Sequence, residues 1–391
     1  MRTLLRALAV VVILLPATLK SQVWTTYQNF PSNNIFGVDF QSDNTKWYAT
    51  RFGGVTRYDN NGWFTYDTTN GLAHYYLESV MVDDSDNVYV GYGLINGISK
   101  FDGSTWTYIP TPSDVYDMTI DSTGNLWITS FYYGGVSVYN GSTWTTYTTA
   151  NGFPNDICYG VAVDSLNNKW FACGGGLLVK YDGTTFTSYN PPGVPANSIV
   201  SSVAVDDSGF VWAGAYGEGL FKFDGTNWTT FPNTMGCYVM GIVFDAPGKL
   251  FFGGLYCGVY RFDGVNWTLY TSLDGLGDNH MQNMGISPTG EVWACSKYAG
   301  ASILSGTMME ISPTEPLNTF SVYPNPADES VTVQCDPGST VNIVDVLGRT
   351  VMCYVAASNE SIIDISALPQ GIYSVNLQSE NHQYSRQLVV E

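Results

Sequence analysis

Phe223-Asp224-Gly225-Thr226-Asn227-Trp228-Thr229-Thr230-Phe231 is the stretch that decides the fold, because versions of it return along most of this 391-residue chain. Its tryptophan has counterparts about every 40 residues, which is the length of one β-propeller blade. The series is Trp24, Trp63, Trp106, Trp144, Phe186, Trp228 and Trp267. Because glycine accepts the positive φ of a tight hairpin, the Asp-Gly pair predicts a turn between two strands.

Each period predicts four short strands. In the third unit the stretches suited to strands are residues 115–120, 126–129, 136–139 and 144–147. A turn-rich segment separates the first two stretches, and Gly134-Gly135 separates the second from the third. No helical period lies between them, so the sequence predicts an all-β fold made of propeller blades.

The number of units predicts how the propeller ends. Sets of first, second and third strands begin near Ile35, Tyr75, Val115, Ile157, Ile199, Tyr238 and Met281, which gives seven blades. The seventh set lacks a fourth strand. Residues 24–27 have the pattern of a fourth strand, but no first, second or third strand precedes them. We therefore predict that the N-terminal strand completes the last blade, which also removes an exposed sheet edge.

Tryptophans recur on the second strands of five of the seven blades, and we expect them to pack between neighbouring blades. They are Trp47, Trp127, Trp170, Trp212 and Trp293.

The two ends of the chain indicate export. Residues 1–21 have a basic start and an apolar run too short to span a bilayer, as in a secretory signal peptide. No later stretch is apolar enough to cross a membrane. The net charge of −19, from 15 Lys plus Arg against 34 Asp plus Glu, argues against nucleic acid as a partner.

We assign residues 22–307 to the propeller, residues 308–319 to a linker, and residues 320–391 to a small C-terminal β-sandwich. The linker contains Pro313 and Pro316 and has no periodicity. The C-terminal segment contains alternating strands and is long enough for a small sandwich.

The propeller region resembles the two-component-regulator propeller repeat family. The residues that carry this resemblance are Gly152-Phe153-Pro154-Asn155-Asp156, Asp121-Ser122-Thr123-Gly124-Asn125-Leu126-Trp127 and Gly53-Gly54-Val55-Thr56-Arg57-Tyr58-Asp59. The resemblance implies seven blades and a sensor or extracellular binding module. No membrane span, kinase or DNA-binding segment follows the repeats, which departs from the sensor architecture.

The C-terminal segment resembles the type A sorting domain of the type IX, or Por, secretion system. The motifs are Val322-Tyr323-Pro324-Asn325-Pro326-Ala327, Asp345-Val346-Leu347-Gly348-Arg349, Leu368-Pro369-Gln370-Gly371-Ile372-Tyr373-Ser374-Val375 and Gln387-Leu388-Val389-Val390. The resemblance implies the type IX machinery as a partner. It also implies a secreted or surface-attached protein of a Gram-negative bacterium.

Seven cysteines in an exported chain permit disulfides. The hairpin registers bring Cys158 almost opposite Cys173 and Cys237 almost opposite Cys257, and Cys335 could pair with Cys353 in the tail, which would leave Cys295 alone. The alternative for each pair is two buried free thiols. Acidic turns such as residues 83–87, 121–124 and 206–209 suggest calcium as an alternative to hairpin chemistry, but each supplies too few ligands for a full site. We expect no cofactor.

We expect a ligand to meet the face built by the connections between second and third strands and by those between blades. Six of the seven blades place an aromatic residue in the first kind of connection. The candidate ligand-binding residues are Phe52, Tyr92, Tyr132, Tyr133, Tyr216, Tyr256 and Tyr298. Such a ring is suited to a glycan or a peptide, because tyrosine offers area and a hydroxyl at low entropic cost. The alternative is that these rings plug the channel or pack on one another.

Two function classes remain open at this stage. A non-catalytic binding module is favoured, and the alternative is an enzyme in which His74 or His280 acts as a general base with Glu218 nearby. The enzymes that such a protein would resemble are streptogramin-type lyases, seven-bladed propellers that use a histidine and a divalent metal. No paired-histidine motif matches theirs.

Overall fold

The computed structural model of the protein describes residues 23–305 and 321–390, apart from residues 336–338, 346–348, 359 and 379–382. The chain divides into two compact units, Met1–Thr307 and Met308–Glu391. The predicted signal peptide (1–21) and linker (308–319) lie outside the described residues. Among the residues that are described, no helix has the length and hydropathy needed to cross a membrane.

The first unit contains seven antiparallel four-stranded sheets. The first sheet contains β2 (Ile35–Phe40), β3 (Lys46–Thr50), β4 (Gly54–Asp59) and β5 (Gly62–Tyr66). The second sheet contains β6 (Leu77–Val82), β7 (Val88–Tyr92), β8 (Gly97–Phe101) and β9 (Trp106–Pro110). The third sheet contains β10 (Asp117–Ile120), β11 (Leu126–Thr129), β12 (Val136–Tyr139) and β13 (Trp144–Tyr147).

The fourth sheet contains β14 (Cys158–Val163), β15 (Lys169–Cys173), β16 (Leu177–Tyr181) and β17 (Phe186–Tyr189). The fifth sheet contains β18 (Val200–Val205), β19 (Val211–Ala215), β20 (Gly219–Phe223) and β21 (Trp228–Thr230). The sixth sheet contains β22 (Tyr238–Ala246), β23 (Lys249–Leu255), β24 (Gly258–Phe262) and β25 (Trp267–Tyr270). Short 3-10 turns at Thr149–Asn151, Pro232–Thr234 and Ser272–Asp274 follow β13, β21 and β25.

The seventh sheet is completed by the N-terminal strand, as the sequence predicts. It contains β26 (Met281–Ile286), β27 (Val292–Ser296), β28 (Ala301–Ser305) and, at its outer edge, β1 (Val23–Tyr27). Strand β1 is antiparallel to β28, with Trp24 opposite Leu304 and Tyr27 opposite Ala301. The Trp24 side chain is buried and meets the Tyr270 ring edge-on at 5.9 Å. The first strand of the chain therefore covers the edge that the last sheet would otherwise expose.

Successive sheets pack side by side, and the seventh sheet contacts the first. Strands β26 and β2 are neighbours, and Lys46 Nζ lies 2.9 Å from Glu291 Oε2 across this junction. The Trp293 ring packs against Tyr48 at 5.6 Å. The first strand of every sheet contributes residues to the wall of one cavity, which we call the central cavity.

The second-strand tryptophans pack between sheets, which confirms the role predicted for them. All five are buried. Trp47 contacts Phe101 of the second sheet at 5.6 Å, and Trp127 contacts Phe171 of the fourth at 5.8 Å. Rings of this size contribute much of the apolar area buried between neighbouring sheets.

The acidic turns use their carboxylates within the fold. Asp121 accepts hydrogen bonds from the Trp127 indole at 2.9 Å and from Thr123 at 2.6 Å, and Asp206 accepts one from the Trp212 indole at 2.9 Å. These bonds join each hairpin turn to the tryptophan of its own second strand. These carboxylates therefore take part in the hydrogen bonding of their hairpin turns.

Two of the predicted disulfides are present and one is not. Cys158–Cys173 joins β14 to β15 in the fourth sheet. Cys237–Cys257 joins the residue before β22 to the connection after β23 in the sixth sheet. The proposed Cys335–Cys353 pair is wrong. Cys335 is buried in the core of the tail, whereas Cys353 lies on the exposed side of its strand, so alternation along the strand separates the two side chains.

The second unit is the predicted β-sandwich. One sheet contains β29 (Ser321–Tyr323), β30 (Ser330–Gln334) and β33 (Glu360–Asp364); the other contains β31 (Thr340–Val344), β32 (Thr350–Val355), β34 (Gly371–Gln378) and β35 (Gln383–Val390). Alternate residues of both sheets face a shared apolar core. Its members include Val331, Val333, Val341, Ile343, Val375, Leu377 and Leu388.

Residues of the sorting motifs support this sandwich. Asn325 Oδ1 accepts a hydrogen bond from the backbone of Val389 at 2.8 Å, which joins the beginning of the unit to its last strand. Arg349 Nε donates to Asp345 at 2.8 Å. The Tyr373 hydroxyl donates to the Pro369 carbonyl at 2.7 Å. Residues of the motifs therefore have structural roles within the second unit.

Candidate functional site

The strand order places two sets of connections on one face of the propeller, which we call the upper face. Because the strands of each sheet are antiparallel, the connections between second and third strands lie at the same end as the connections from one sheet to the next. This is the face that the sequence predicts for a ligand.

The mouth of the central cavity is formed by one residue from each sheet. In six sheets the pairing of the first and second strands skips one residue near the upper end, which is a β-bulge. The residues at this position, with the corresponding residue of the third sheet, are Phe36, Glu78, Tyr116, Tyr159, Ser201, Met240 and Gln282. The cavity that they line has a volume of about 150 Å³.

A continuous run of aromatic rings extends from the third sheet to the seventh, and we call it the aromatic arc. Its members in order are Tyr132, Phe131, Tyr159, Tyr216, Tyr238, Tyr256, His280 and Tyr298. Neighbouring ring centroids lie between 4.5 and 6.1 Å apart. Edge-to-face and tilted pairs at such distances are attractive, so the rings support one another.

The structure places four of the candidate ligand-binding tyrosines in this arc. Tyr132, Tyr256 and Tyr298 are more than half exposed, and Tyr216 is half-buried between Tyr159 and Tyr238. These four side chains are therefore brought together by a chain of ring contacts.

Two further candidates lie on the upper face outside the chain of contacts. Tyr133 is 74% exposed at the tip of the third sheet's connection. Phe52 is 62% exposed and packs edge-on against Tyr76 at 4.8 Å, next to the exposed Tyr75. A cavity of about 330 Å³ lies between Phe52 and Tyr75.

The prediction for Tyr92 is corrected by the structure. Tyr92 is the last residue of β7 and is fully buried. Its hydroxyl is hydrogen-bonded to Ser99 at 2.7 Å and accepts the backbone N–H of Ala73 at 3.0 Å. It is a core residue and is not available to a ligand.

The two histidines predicted for the same face lie in separate surroundings. His74 stacks on Tyr75 at 4.6 Å, and its Nδ1 accepts the Tyr76 N–H at 3.1 Å. His280 Nδ1 lies 2.9 Å from Asp278 Oδ1, and its ring stands between Tyr256 and Tyr298. Glu218 is half-buried in the connection that holds Tyr216, and no hydrogen bond joins it to either histidine in the described part of the chain.

Three aromatic residues at the tips of these connections have left-handed backbone. The φ angles are 67° at Phe52, 62° at Tyr133 and 68° at Tyr256. Glycine occupies the corresponding tip in the fifth sheet, where Gly217 has φ 75°. Bulky side chains rarely adopt this conformation, and where they do the strain clusters at functional sites.

We expect Tyr256→Asn to increase the free energy of unfolding relative to Tyr298→Asn. Asparagine tolerates left-handed backbone, so the first change relieves strain of about 1 kcal/mol. Tyr298 has a similar exposure and also contacts His280, but it is not among the residues with positive φ. Urea unfolding of the two variants measures the difference, and equal stabilities would contradict a strained tip at Tyr256.

Two half-buried carboxyls below the mouth join neighbouring sheets. Asp117 accepts the Val161 N–H at 2.9 Å, and Asp39 accepts the Val82 N–H at 2.6 Å. Burial raises the pKa of each to about 6, although these hydrogen bonds act in the opposite direction. Both groups bind protons more tightly in the folded chain than in the unfolded chain.

Stability is therefore expected to fall as pH rises from 4 to 7. The folded state holds more protons than the unfolded state between pH 3.8 and about 6, so each group lowers the free energy of unfolding by up to roughly 3 kcal/mol over this range. Melting temperatures at pH 4 and pH 7 measure the effect. Asp39→Asn with Asp117→Asn should reduce the difference, whereas Asp102→Asn, in an exposed turn, should leave it unchanged.

Comparison with known proteins agrees with both halves of the chain. The family model described as the secretion system C-terminal sorting domain matches residues 321–391. No curated protein matches the chain. The fold and the tail define a propeller protein exported by the type IX secretion system to the cell surface or the extracellular space.

Several solved structures share the fold. The extracellular domain of a hybrid two-component system from B. thetaiotaomicron has a TM-score of 0.64 and 16% identity, covering 94% of this chain and 57% of that one. PorZ, a surface component of the type IX secretion system of Porphyromonas gingivalis, has a TM-score of 0.60 and 17% identity, covering 93% and 60%. This chain thus spans less than two thirds of either relative.

A catalytically inactive virginiamycin B lyase from Staphylococcus aureus, solved with quinupristin, has a TM-score of 0.62 and 13% identity, covering 73% of this chain and 99% of that one. Identities this low establish the fold alone. The propeller architecture is thus common to proteins with different activities.

Proposed function

We propose that the propeller is a non-catalytic binding module that holds an extracellular glycan or peptide across the aromatic arc. The observation that supports this function is the unbroken run of rings over five sheets, with Tyr132, Tyr256 and Tyr298 more than half exposed. Each tyrosine offers a flat apolar surface and a hydroxyl. An extended ligand would contact several of these rings at once, while the sorting domain engages the type IX machinery during export.

A glycan and peptide array probed with the purified full chain tests this proposal. The variant is Tyr238→Ala with Tyr256→Ala and Tyr298→Ala, and we expect it to weaken binding of the best array ligand at least tenfold, because hot-spot aromatics each contribute about 1 kcal/mol or more. The control is Phe64→Ala, which removes an exposed ring from the outermost strand β5. Equal loss in the control, or full binding by the triple variant, would reject the arc as the site.

A second candidate function is an enzyme with His280 as general base. One observation favours it: Asp278 lies 2.9 Å from His280 Nδ1, an arrangement that orients an imidazole and leaves Nε2 for a substrate proton. The tyrosines on either side would hold the substrate. His74 has no carboxylate partner among the described residues, so His280 is the stronger of the two candidates.

Mass spectrometry of array ligands after incubation with the protein separates the two functions. An enzyme would convert a bound ligand, and His280→Ala would abolish conversion while binding survives. A binding module would return the ligand unchanged with wild type and variant alike. His74→Ala is the control for a histidine on the same face.

A further inference from the structure

A buried carboxylate at the cavity mouth has one oxygen that no described residue satisfies. The Glu78 side chain is only 2% exposed, and its Oε1 accepts a hydrogen bond from Arg51 Nη2 at 2.6 Å. Its Oε2 is buried without a hydrogen-bond partner in the described part of the chain. Burial raises the pKa of Glu78 by more than the Arg51 guanidinium and the Tyr76 hydroxyl lower it. A donor from a ligand would relieve the cost of the unsatisfied oxygen.

The charges around the cavity favour a cation. Asp117 lies in the wall, and Asp114 is buried behind the Phe131 connection, where it accepts hydrogen bonds from Ser130 and from the Phe131 N–H. With Glu78 these groups make three carboxylates against the single guanidinium of Arg51. No lysine, arginine or histidine of the described residues lines the cavity itself. An added positive charge would therefore be attracted to this cavity.

One part of the remaining wall, formed by aromatic and apolar side chains, is suited to an alkyl chain that ends in a cation. Tyr116 and Tyr159 meet edge-on at 5.6 Å, and Met240 faces the same cavity. The Arg51 guanidinium already lies over the Phe36 ring at 3.7 Å, so this mouth accommodates a cation on an aromatic face.

We infer that the cavity at the mouth of the propeller binds a primary ammonium group on a short alkyl chain, as a lysine side chain of a peptide presents, with Glu78 as its counter-ion. This inference rests on the proposed function, because the peptide itself would lie across the aromatic arc. An ammonium site at the cavity mouth favours a peptide over a neutral glycan as the class of ligand.

Isothermal titration calorimetry of the purified full chain with three probes tests the inference. The probes are Nα-acetyl-lysine methylamide, its norleucine analogue, which lacks the ammonium group, and methyl glucoside. We expect the lysine probe to bind at least tenfold more tightly than either of the others. Glu78→Gln should weaken it at least tenfold, whereas Asp207→Asn, an exposed carboxylate in the turn between β18 and β19, should not change it.

Glu78→Gln leaves Arg51 without its counter-charge, so this variant could lose binding because it folds poorly. A second variant separates loss of binding from loss of folding. Tyr159→Leu keeps the ion pair and removes one aromatic wall, and it should weaken the lysine probe three- to tenfold. Equal affinity of the norleucine probe, tighter binding of methyl glucoside, or no binding of any probe overturns the inference.

The two proposals fail in distinguishable ways. If the array ligand depends on the arc but the lysine probe does not bind, the binding function stands and the ammonium site is wrong. If the lysine probe binds through Glu78 but no array ligand depends on the arc, the arc proposal is wrong and the ammonium site stands by itself.

Discussion

A variant that lacks residues 23–27 is expected to lose the cooperative unfolding transition of the propeller. Deletion leaves β28 as an exposed edge over five paired positions, and such an edge invites aggregation. It also removes Trp24, whose buried ring packs on Tyr270. Trp24→Ala alone should cost about 3–5 kcal/mol of unfolding free energy. Calorimetry and size-exclusion chromatography measure both effects.

The control for the closing strand is Thr25→Ala, because Thr25 is exposed in the same strand. Its unfolding free energy should stay within about 0.5 kcal/mol of the wild-type value. A monomeric deletion variant with an unchanged melting temperature would contradict the role given to β1.

The second large effect is expected from Lys169→Met. Lys169 Nζ lies 2.9 Å from Asp121 Oδ2 between the third and fourth sheets, and both side chains are buried. Although burial raises the pKa of Asp121, hydrogen bonds from Thr123, Lys169 and Trp127 hold it below the ordinary value. Removing the lysine leaves a buried carboxylate unpaired, which costs about 3–5 kcal/mol. Chemical denaturation measures the loss.

Two further variants separate this ion pair from general effects of losing a lysine. Lys180→Met removes a half-buried lysine that lies over the Trp170 ring, and it should cost at most about 1 kcal/mol. Asp121→Asn combined with Lys169→Met should recover part of the loss, because neither charge is then unpaired. Purely additive losses would show that the pair is not coupled.

The repeat made most of the architecture predictable. The aromatic residue that begins each fourth strand and the tryptophan on five of the second strands indicated the phase of the sheets. The unmatched strand at residues 24–27 indicated the pairing with β28. Hairpin register was sufficient for Cys158–Cys173 and Cys237–Cys257. These features depend on local pattern, which a repeat displays many times.

The candidate site was less predictable, because single-residue differences in register decide which side chains reach the face. Tyr92 is the last residue of its strand and faces inward, whereas Tyr216 is one residue beyond its strand and faces the arc. Since side chains alternate along a strand, a shift of one residue reverses the side chain's direction.

Sequence reasoning missed the residues at the cavity mouth for a related reason. Tyr116, Tyr159 and Glu78 occupy bulge positions or their equivalent at the start of the first strands, where strict alternation fails. A signal for them exists in the sequence: aligning the first strands places Phe36, Glu78, Tyr116 and Tyr159 at one repeat position. The contacts of Tyr238 with Tyr216 and Tyr256 in the arc, by contrast, are visible only in the three-dimensional structure.

The central claim is that the aromatic arc is the ligand-binding surface of this exported propeller. A crystal structure of the protein with the best array ligand tests it most directly. We expect ligand density in contact with Tyr216, Tyr238 and Tyr256 on the upper face. Density confined to the opposite face, to the outermost strands or to residues 321–390 would contradict it.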